Sequence, residues 1–132
     1  MQNMSETRRK INEFYERSGK YAPDAYEFVT GAVIEQVNRL DPPRHLSALE
    51  VLQGLKKQLA DEFGILTALI LESWNIQSAS DIGEIVFDLI NLQILSASAE
   101  DKRSDFDVEF KLVDQPRRRR KKRLDLEIPE ID

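Results

Sequence analysis

The sequence predicts a mainly α-helical domain with one small β element, an α+β fold with a compact helical core. Apolar residues recur at helical spacing in several stretches, and Pro, Gly or Asn residues separate these stretches. Within 1–113, one segment close to position 110 alternates apolar and charged positions as a strand does. With 132 residues and a hydrophobic fraction of 41%, the chain can bury a single core. We therefore predict one globular domain over 1–113 and a tail over 114–132.

Two helices are predicted in the first third of the chain. Residues 5–17 carry a narrow apolar stripe three and four positions apart, so this helix is expected at the periphery of the domain. Pro23 suits the first turn of a second helix within 21–40, and the two prolines after Asp41 end it. Because β-branched and aromatic residues crowd 26–34, a strand is the alternative there.

The middle of the chain predicts two further helices, of which the second is central. Ser47 and Glu50 have the spacing of a capping box, in which each side chain satisfies a backbone N–H of the first helical turn. Gly64 stands where a residue in the left-handed conformation ends such a helix. The stretch 65–74 that follows is apolar on almost every face, which is typical of a buried helix.

An amphipathic helix over 80–94 and a half-buried strand over 106–112 complete the predicted elements. Asp81 and Glu84 have capping-box spacing at the start of this helix. The strand is predicted because apolar and charged residues alternate along it. Helices followed by a β segment are also the element order of a winged-helix domain, which would span 46–113 with 80–94 as its recognition helix.

The charge pattern argues against the reading of duplex DNA by this domain. A recognition helix needs cations or amides that reach phosphates and base edges. The segment 80–94 contains no Lys or Arg, and three of its five expected exposed positions are carboxylates: Asp81, Glu84 and Asp88 beside Asn91 and Gln93. Of the 19 Lys and Arg residues, seven lie in 117–123, which leaves 12 against 24 Asp and Glu in the chain. Such an acidic body repels a phosphate backbone.

The basic run 117–123 has three interpretations. It is a solvated tail, as most blocks of like charge are, or a site for RNA or ribosomal phosphates. In the third interpretation it folds back onto the acidic body of the chain or onto a second copy, and the alternating residues 124–128 add as an edge strand beside 106–112. We expect the tail to be disordered. Its seven cations are Arg117, Arg118, Arg119, Arg120, Lys121, Lys122 and Arg123.

Signs of catalysis, metal binding or membrane insertion are weak. His45 is the only histidine and there is no cysteine, so no metal site is expected, and no cofactor-binding motif occurs. Arg44 beside it suits a clamp for phosphate or carboxylate, although a histidine at this position more simply packs or caps near the next helix. No segment resembles a signal peptide or a membrane span. We expect a cytoplasmic protein without a cofactor, and an enzyme is disfavoured.

Four stretches of the chain carry a family resemblance. They are YAPDAYEFV at 21–29, RHLSALEVLQGL at 44–55, FGIL with WNI in 63–76, and DIGEIVFDLI at 81–90. Together they resemble the Minf family of short bacterial proteins of unknown function, and the similarity covers residues 8–112. Members of that family usually carry Gly where this chain has Ala48 and Asn75.

The resemblance implies a cytoplasmic bacterial protein and brings no catalytic residue with it. It gives weight to six polar residues, which would form a binding cluster if the fold brings them together. These are Tyr21, Tyr26, Arg44, His45, Asp81 and Glu84. We predict a non-enzymatic binding or protein-interaction module that acts through its folded body, on a protein partner or a second copy. The alternatives are an RNA- or ribosome-associated protein that uses 117–123, and a small ligand-binding protein or enzyme that uses Arg44 and His45.

Overall fold

The computed structural model describes residues 4–96 and 102–114, and these are mainly helical, which confirms the predicted α class. The elements are α1 (Met4–Ser18), α2 (Pro23–Asn38), α3 (Ala48–Phe63), α4 (Thr67–Ser73) and α5 (Ala79–Asn91), with 3₁₀ turns at Gly64–Leu66 and Arg103–Phe106. None of the helices in these two ranges combines the length and the hydropathy that crossing a bilayer requires. The predicted tail lies outside the described residues, apart from Asp114.

The core lies between α2, α3 and α5. Helix α5 packs against both of the other helices and against the second 3₁₀ turn. Its residues Ile82, Ile85 and Leu89 are almost completely buried, and Ile11 adds the apolar stripe of α1 to the same core. The buried face of α5 therefore meets three neighbouring elements of the domain.

The segment 21–40, for which the sequence left helix and strand open, is helical. Pro23 occupies the first turn of α2, where its missing N–H leaves no hydrogen bond unmade. Ala25, Val29 and Ala32 recur three and four positions apart and are buried. A helical stripe that packs against α3 and α5 outweighs the β propensity of the individual residues.

The capping box predicted for the third helix is confirmed. Ser47 Oγ accepts a hydrogen bond from the Glu50 backbone N–H at 3.2 Å, and Glu50 Oε1 accepts one from the Ser47 N–H at 2.9 Å. Gly64 follows the helix with φ of 53°, a conformation that costs glycine little. Between these two ends, helix α3 buries Leu52, Leu55 and Leu59 in the core.

The prediction of a central, fully buried helix over 65–74 is wrong. Three of its apolar side chains face solvent: Ile65 is 89% exposed, Leu69 61% and Leu66 52%. This short segment packs against α3 after the turn at Gly64, and only part of it, with Thr67, Leu71 and Trp74, is buried. We refer to Ile65, Leu66 and Leu69 as the α4 patch.

The small β element predicted over 106–112 is not seen, because no strand occurs within 4–96 and 102–114. The 3₁₀ turn Arg103–Phe106 leads into an irregular stretch that is held by separate contacts instead. Phe106 and Leu112 are buried, and Lys56 on α3 contacts both the Phe110 ring and the Asp114 carboxylate. A lone strand has no partner for its backbone N–H and C=O groups. The winged-helix order would place its β wing over 96–113, and the described residues of that segment do not form one.

Candidate functional site

The structure brings four of the six candidate binding residues together. Tyr21 precedes α2 and Tyr26 lies in its first turns, and both hydroxyls point at carboxylates of α5. The Tyr21 hydroxyl hydrogen-bonds to Asp81 Oδ1 at 2.6 Å and also to Glu84 Oε1, while the Tyr26 hydroxyl donates to Asp88 Oδ2 at 2.8 Å. We refer to these five residues as the tyrosine–carboxylate cluster.

Every carboxylate of this cluster has a partner within the protein. Glu84 forms an ion pair with Lys20 at 2.7 Å. Asp81 Oδ2 accepts hydrogen bonds from the backbone N–H groups of Gln77 at 2.7 Å and Ser78 at 3.2 Å. The predicted capping box of Asp81 and Glu84 is wrong by one turn, because α5 begins at Ala79 and Asp81 already caps it. Glu84 therefore faces the α1–α2 connection, where Lys20 lies.

The electrostatics of the cluster keep the tyrosines as hydrogen-bond donors. Burial raises the pKa of the Tyr21 hydroxyl far above its ordinary value, and its hydrogen bonds to Asp81 and Glu84 raise it further. The pKa of Tyr26 rises for the same reasons, burial first and the hydrogen bond to Asp88 second. A protonated phenol next to an ionised carboxylate is a stable pair and offers no nucleophile at neutral pH.

The pKa values of Asp88 and Glu84 are shifted in opposite directions by their surroundings. Burial raises the pKa of Asp88, and the hydrogen bond from Tyr26 opposes this shift. The hydrogen bonds from Lys20 and then from Tyr21 lower the pKa of Glu84. No group of three or more His, Asp or Glu side chains among the residues described is placed to hold a metal ion. The cluster joins the start of α2 to α5, and its polar groups are satisfied internally.

Arg44 and His45 lie apart from this cluster, in the connection before α3. The Arg44 guanidinium forms two hydrogen bonds to the Glu50 carboxylate, at 3.0 and 2.8 Å, and one to the backbone carbonyl of His45 at 2.9 Å. The same Glu50 belongs to the capping box of α3. The hypothesis of a single site formed by all six residues is therefore not met by this geometry.

Both residues line a second feature, an open groove between α2 and α5 with a volume of about 450 Å³. Its walls are mainly apolar and come from the second half of α2, from the connection before α3, from α5 and from the second 3₁₀ turn. Lys102 and Asp105 are its other charged lining residues. We refer to this feature as the Arg44 groove.

Three features were missed by the sequence reasoning: the place of Asp88 in the cluster, the Arg44 groove and the α4 patch. Asp88 lies seven residues after Asp81 and four after Glu84, and that helical spacing predicts one shared face. The spacing was therefore available as a signal for the cluster. The Arg44 groove and the α4 patch had no comparable signal, because both depend on how the helices are arranged.

The hydrogen bonds of Glu50 and Glu84 predict a loss of stability in acid. The hydrogen bond from Arg44, followed by that from the Ser47 backbone, lowers the pKa of Glu50 to about 2 in the folded chain. Each depressed carboxylate binds its proton more readily when the chain is unfolded, so its stabilising effect is present above its unfolded-state pKa and is lost as the pH falls. For Glu50 the loss extends down to its folded-state pKa of about 2. The raised pKa of Asp88 acts in the opposite direction.

Urea unfolding between pH 6 and pH 2.5 checks this expectation. The urea midpoint should fall with pH in the natural chain, and it should fall less steeply in Glu50→Gln, which has lost the titrating group. Glu16→Gln, at an exposed position of α1, is the matched control and should follow the natural chain. Identical pH profiles for all three proteins would contradict the role of the Arg44–Glu50 pair.

Comparison of the chain with protein-family models, with curated proteins and with solved structures finds no match. The resemblance to the Minf family therefore stays a prediction. The function has to be argued from the geometry of the cluster, the groove and the patch.

Proposed function

We propose that this chain is a non-enzymatic protein-interaction module that binds its partner through the α4 patch of its folded body. The observation that supports this is the exposure of Ile65, Leu66 and Leu69, because Leu69 lies four and three positions after the other two and within reach of both at helical spacing. Single exposed apolar residues are normal, but neighbouring ones are typical of contact surfaces.

The charges beside the patch indicate the chemistry of the partner. Glu72 lies one turn after Leu69 on α4, and Glu62 precedes the Gly64 turn. Neither glutamate forms an ion pair with another described residue, and both are exposed. An apolar centre with acidic neighbours favours a partner segment that places Lys or Arg next to apolar side chains, because complementary charge promotes association and selects partners.

The tyrosine–carboxylate cluster supports a non-enzymatic role. Its phenols stay protonated near neutral pH and its carboxylates are paired with Lys20, with tyrosines or with backbone N–H groups. A catalytic acid or base needs an accessible group that changes protonation during the reaction. We assign this cluster to folding and the α4 patch to binding.

RNA or ribosome binding through 117–123 is the second candidate. The observation that favours it is the seven consecutive cations in the sequence. This run lies outside the described residues. The two candidates differ in their response to salt, because counterion release makes phosphate binding fall steeply with ionic strength while apolar contact persists.

Capture experiments with surface variants of the full chain test the proposal. Immobilised natural protein, the double variant Ile65→Glu/Leu69→Glu and the control Val108→Glu are exposed to the same bacterial lysate, with and without nuclease treatment, at about 0.15 and about 0.5 M salt. Val108 is an exposed apolar residue outside the patch, so its variant adds charge at a neutral position. All variants should unfold within about 0.5 kcal/mol of the natural chain because the side chains are exposed.

The proposal predicts a protein partner that the natural chain and Val108→Glu retain at both salt concentrations and that Ile65→Glu/Leu69→Glu loses. The expected loss is roughly tenfold or more in affinity for the purified partner. Equal capture by all three proteins would overturn the role of the patch. Capture that disappears with nuclease treatment and with neutralisation of 117–123 would support the RNA candidate instead.

A further inference from the structure

The Arg44 groove has the size and shape of a small-molecule site. Its volume of about 450 Å³ falls within the range of roughly 300–1,000 Å³ that ligand pockets occupy. Val33 and Val37 of α2 form one wall, and Val86 and Ile90 of α5 form the other. Leu46, in the connection before α3, lines the groove between them. Such walls accept a hydrocarbon body and offer it few hydrogen bonds.

Two of the three charged residues that line the groove are cations, although the protein has a net charge of −5. Arg44 and Lys102 contribute positive charge and Asp105 is the carboxylate among the lining residues. The charge of Arg44 is matched by Glu50, which does not line the groove. Lys102 is exposed and forms no ion pair with any other described residue. A lysine ammonium without a partner beside an apolar groove is complementary to an anionic group on an apolar ligand.

We propose that the Arg44 groove binds a small amphiphilic carboxylate, such as a medium-chain acyl acid. The apolar body lies between α2 and α5, and the carboxylate is held by Lys102 with Arg44 nearby. This assignment is independent of the α4 patch, because Ile65, Leu66 and Leu69 do not line the groove. It adds a ligand to a protein for which the proposed function names only a protein partner.

The apolar walls predict that affinity depends on chain length. Each additional buried CH₂ group tightens binding roughly fourfold until the groove is full. The ammonium of Lys102 predicts that affinity also depends on the head group. Binding of octanoate, decanoate and the uncharged decanol to the full chain separates these two contributions, and is measured by amide chemical shifts and calorimetry.

Decanoate should bind more tightly than octanoate and more tightly than decanol, with shifts centred on residues of α2 and α5. Lys102→Glu should lower the affinity for decanoate by roughly tenfold or more and leave the affinity for decanol unchanged. Lys111→Glu is the matched control, since Lys111 is an exposed lysine that does not line the groove, and it should bind both probes as the natural chain does. The double variant Ile65→Glu/Leu69→Glu should also retain decanoate binding, which separates this proposal from the α4 patch.

Three results would overturn the proposal. The first is equal affinity for decanoate and decanol, which would remove the head-group contact. The second is an equal loss of decanoate affinity in Lys102→Glu and Lys111→Glu, which would mean that only the net charge of the protein matters. The third is the absence of shifts at Val37 and Ile90, which line the groove from opposite sides.

Discussion

Replacing Tyr26 by alanine is expected to lower the free energy of unfolding by about 3–5 kcal/mol. The ring is buried and contacts Phe14 and Tyr21 edge-on, with centroids 5.8 and 6.2 Å away. Its hydroxyl is the donor to Asp88. The substitution therefore opens a cavity between α1, α2 and α5 and removes the hydrogen bond of a half-buried carboxylate at the same time.

Tyr26→Phe separates these two contributions. The ring and its packing remain, and only the hydrogen bond to Asp88 is lost, so the expected decrease is about 1–3 kcal/mol. Tyr15→Phe is the matched control, because Tyr15 on α1 is exposed and the same hydroxyl deletion should leave stability unchanged. Urea unfolding followed by far-UV circular dichroism compares the proteins. If Tyr26→Phe is as stable as Tyr15→Phe, the cluster does not stabilise the fold as we infer.

The sequence predicted those helices whose ends are encoded by local chemistry. Ser47 and Glu50 satisfy each other's backbone N–H groups within four residues, so the start of α3 does not depend on the rest of the fold. Pro23 acts similarly for α2. The ambiguity over 26–34 came from β propensity, which reflects packing against neighbours and not a property of the residues alone.

The wrong predictions over 65–74 and 106–112 share a physical cause, because each depended on a three-dimensional arrangement of elements that the sequence pattern does not specify. The apolar stretch 65–74 was predicted to be central, yet Ile65, directly after the turn at Gly64, is mostly exposed. The alternation over 106–112 is present, but no strand in the described ranges pairs with it. Phe106 and Leu112 are buried separately. The alternation of apolar and charged residues there reflects these individual contacts and not a strand.

For a similar reason, the sequence predicted only part of the candidate site. Asp81 and Glu84 share a helical face by spacing alone, and Tyr21 and Tyr26 meet that face because α2 packs against α5. Arg44 forms an ion pair with Glu50, which lies six positions later in the sequence. Local spacing thus predicts which carboxylates lie together, whereas the partner of each is decided by the packing of the helices.

Gly83→Ala is expected to destabilise the protein by about 1–3 kcal/mol, although Gly→Ala within a helix usually stabilises. Gly83 is buried in α5 where Phe106 crosses it closely. A Cβ added at this position would lie 2.7 Å from the Phe106 Cβ and 3.0 Å from its Cγ, closer than carbon atoms approach. These Phe106 atoms are near its backbone, so relief requires the second 3₁₀ turn to move away from α5.

Gly31→Ala is the control with the opposite expected sign. Gly31 lies in α2 with no atom within 4 Å of an added Cβ, so alanine should stabilise the protein by about 0.5–1 kcal/mol through its helix propensity. Urea unfolding of both variants, together with amide shifts of residues 103–112, measures the two effects. Stabilisation by both substitutions would mean that Phe106 is not anchored over Gly83. A loss confined to Gly83→Ala, with shifts in the 3₁₀ turn, would show that this close contact holds Arg103–Phe106, and with it the Phe106 side of the Arg44 groove, against α5.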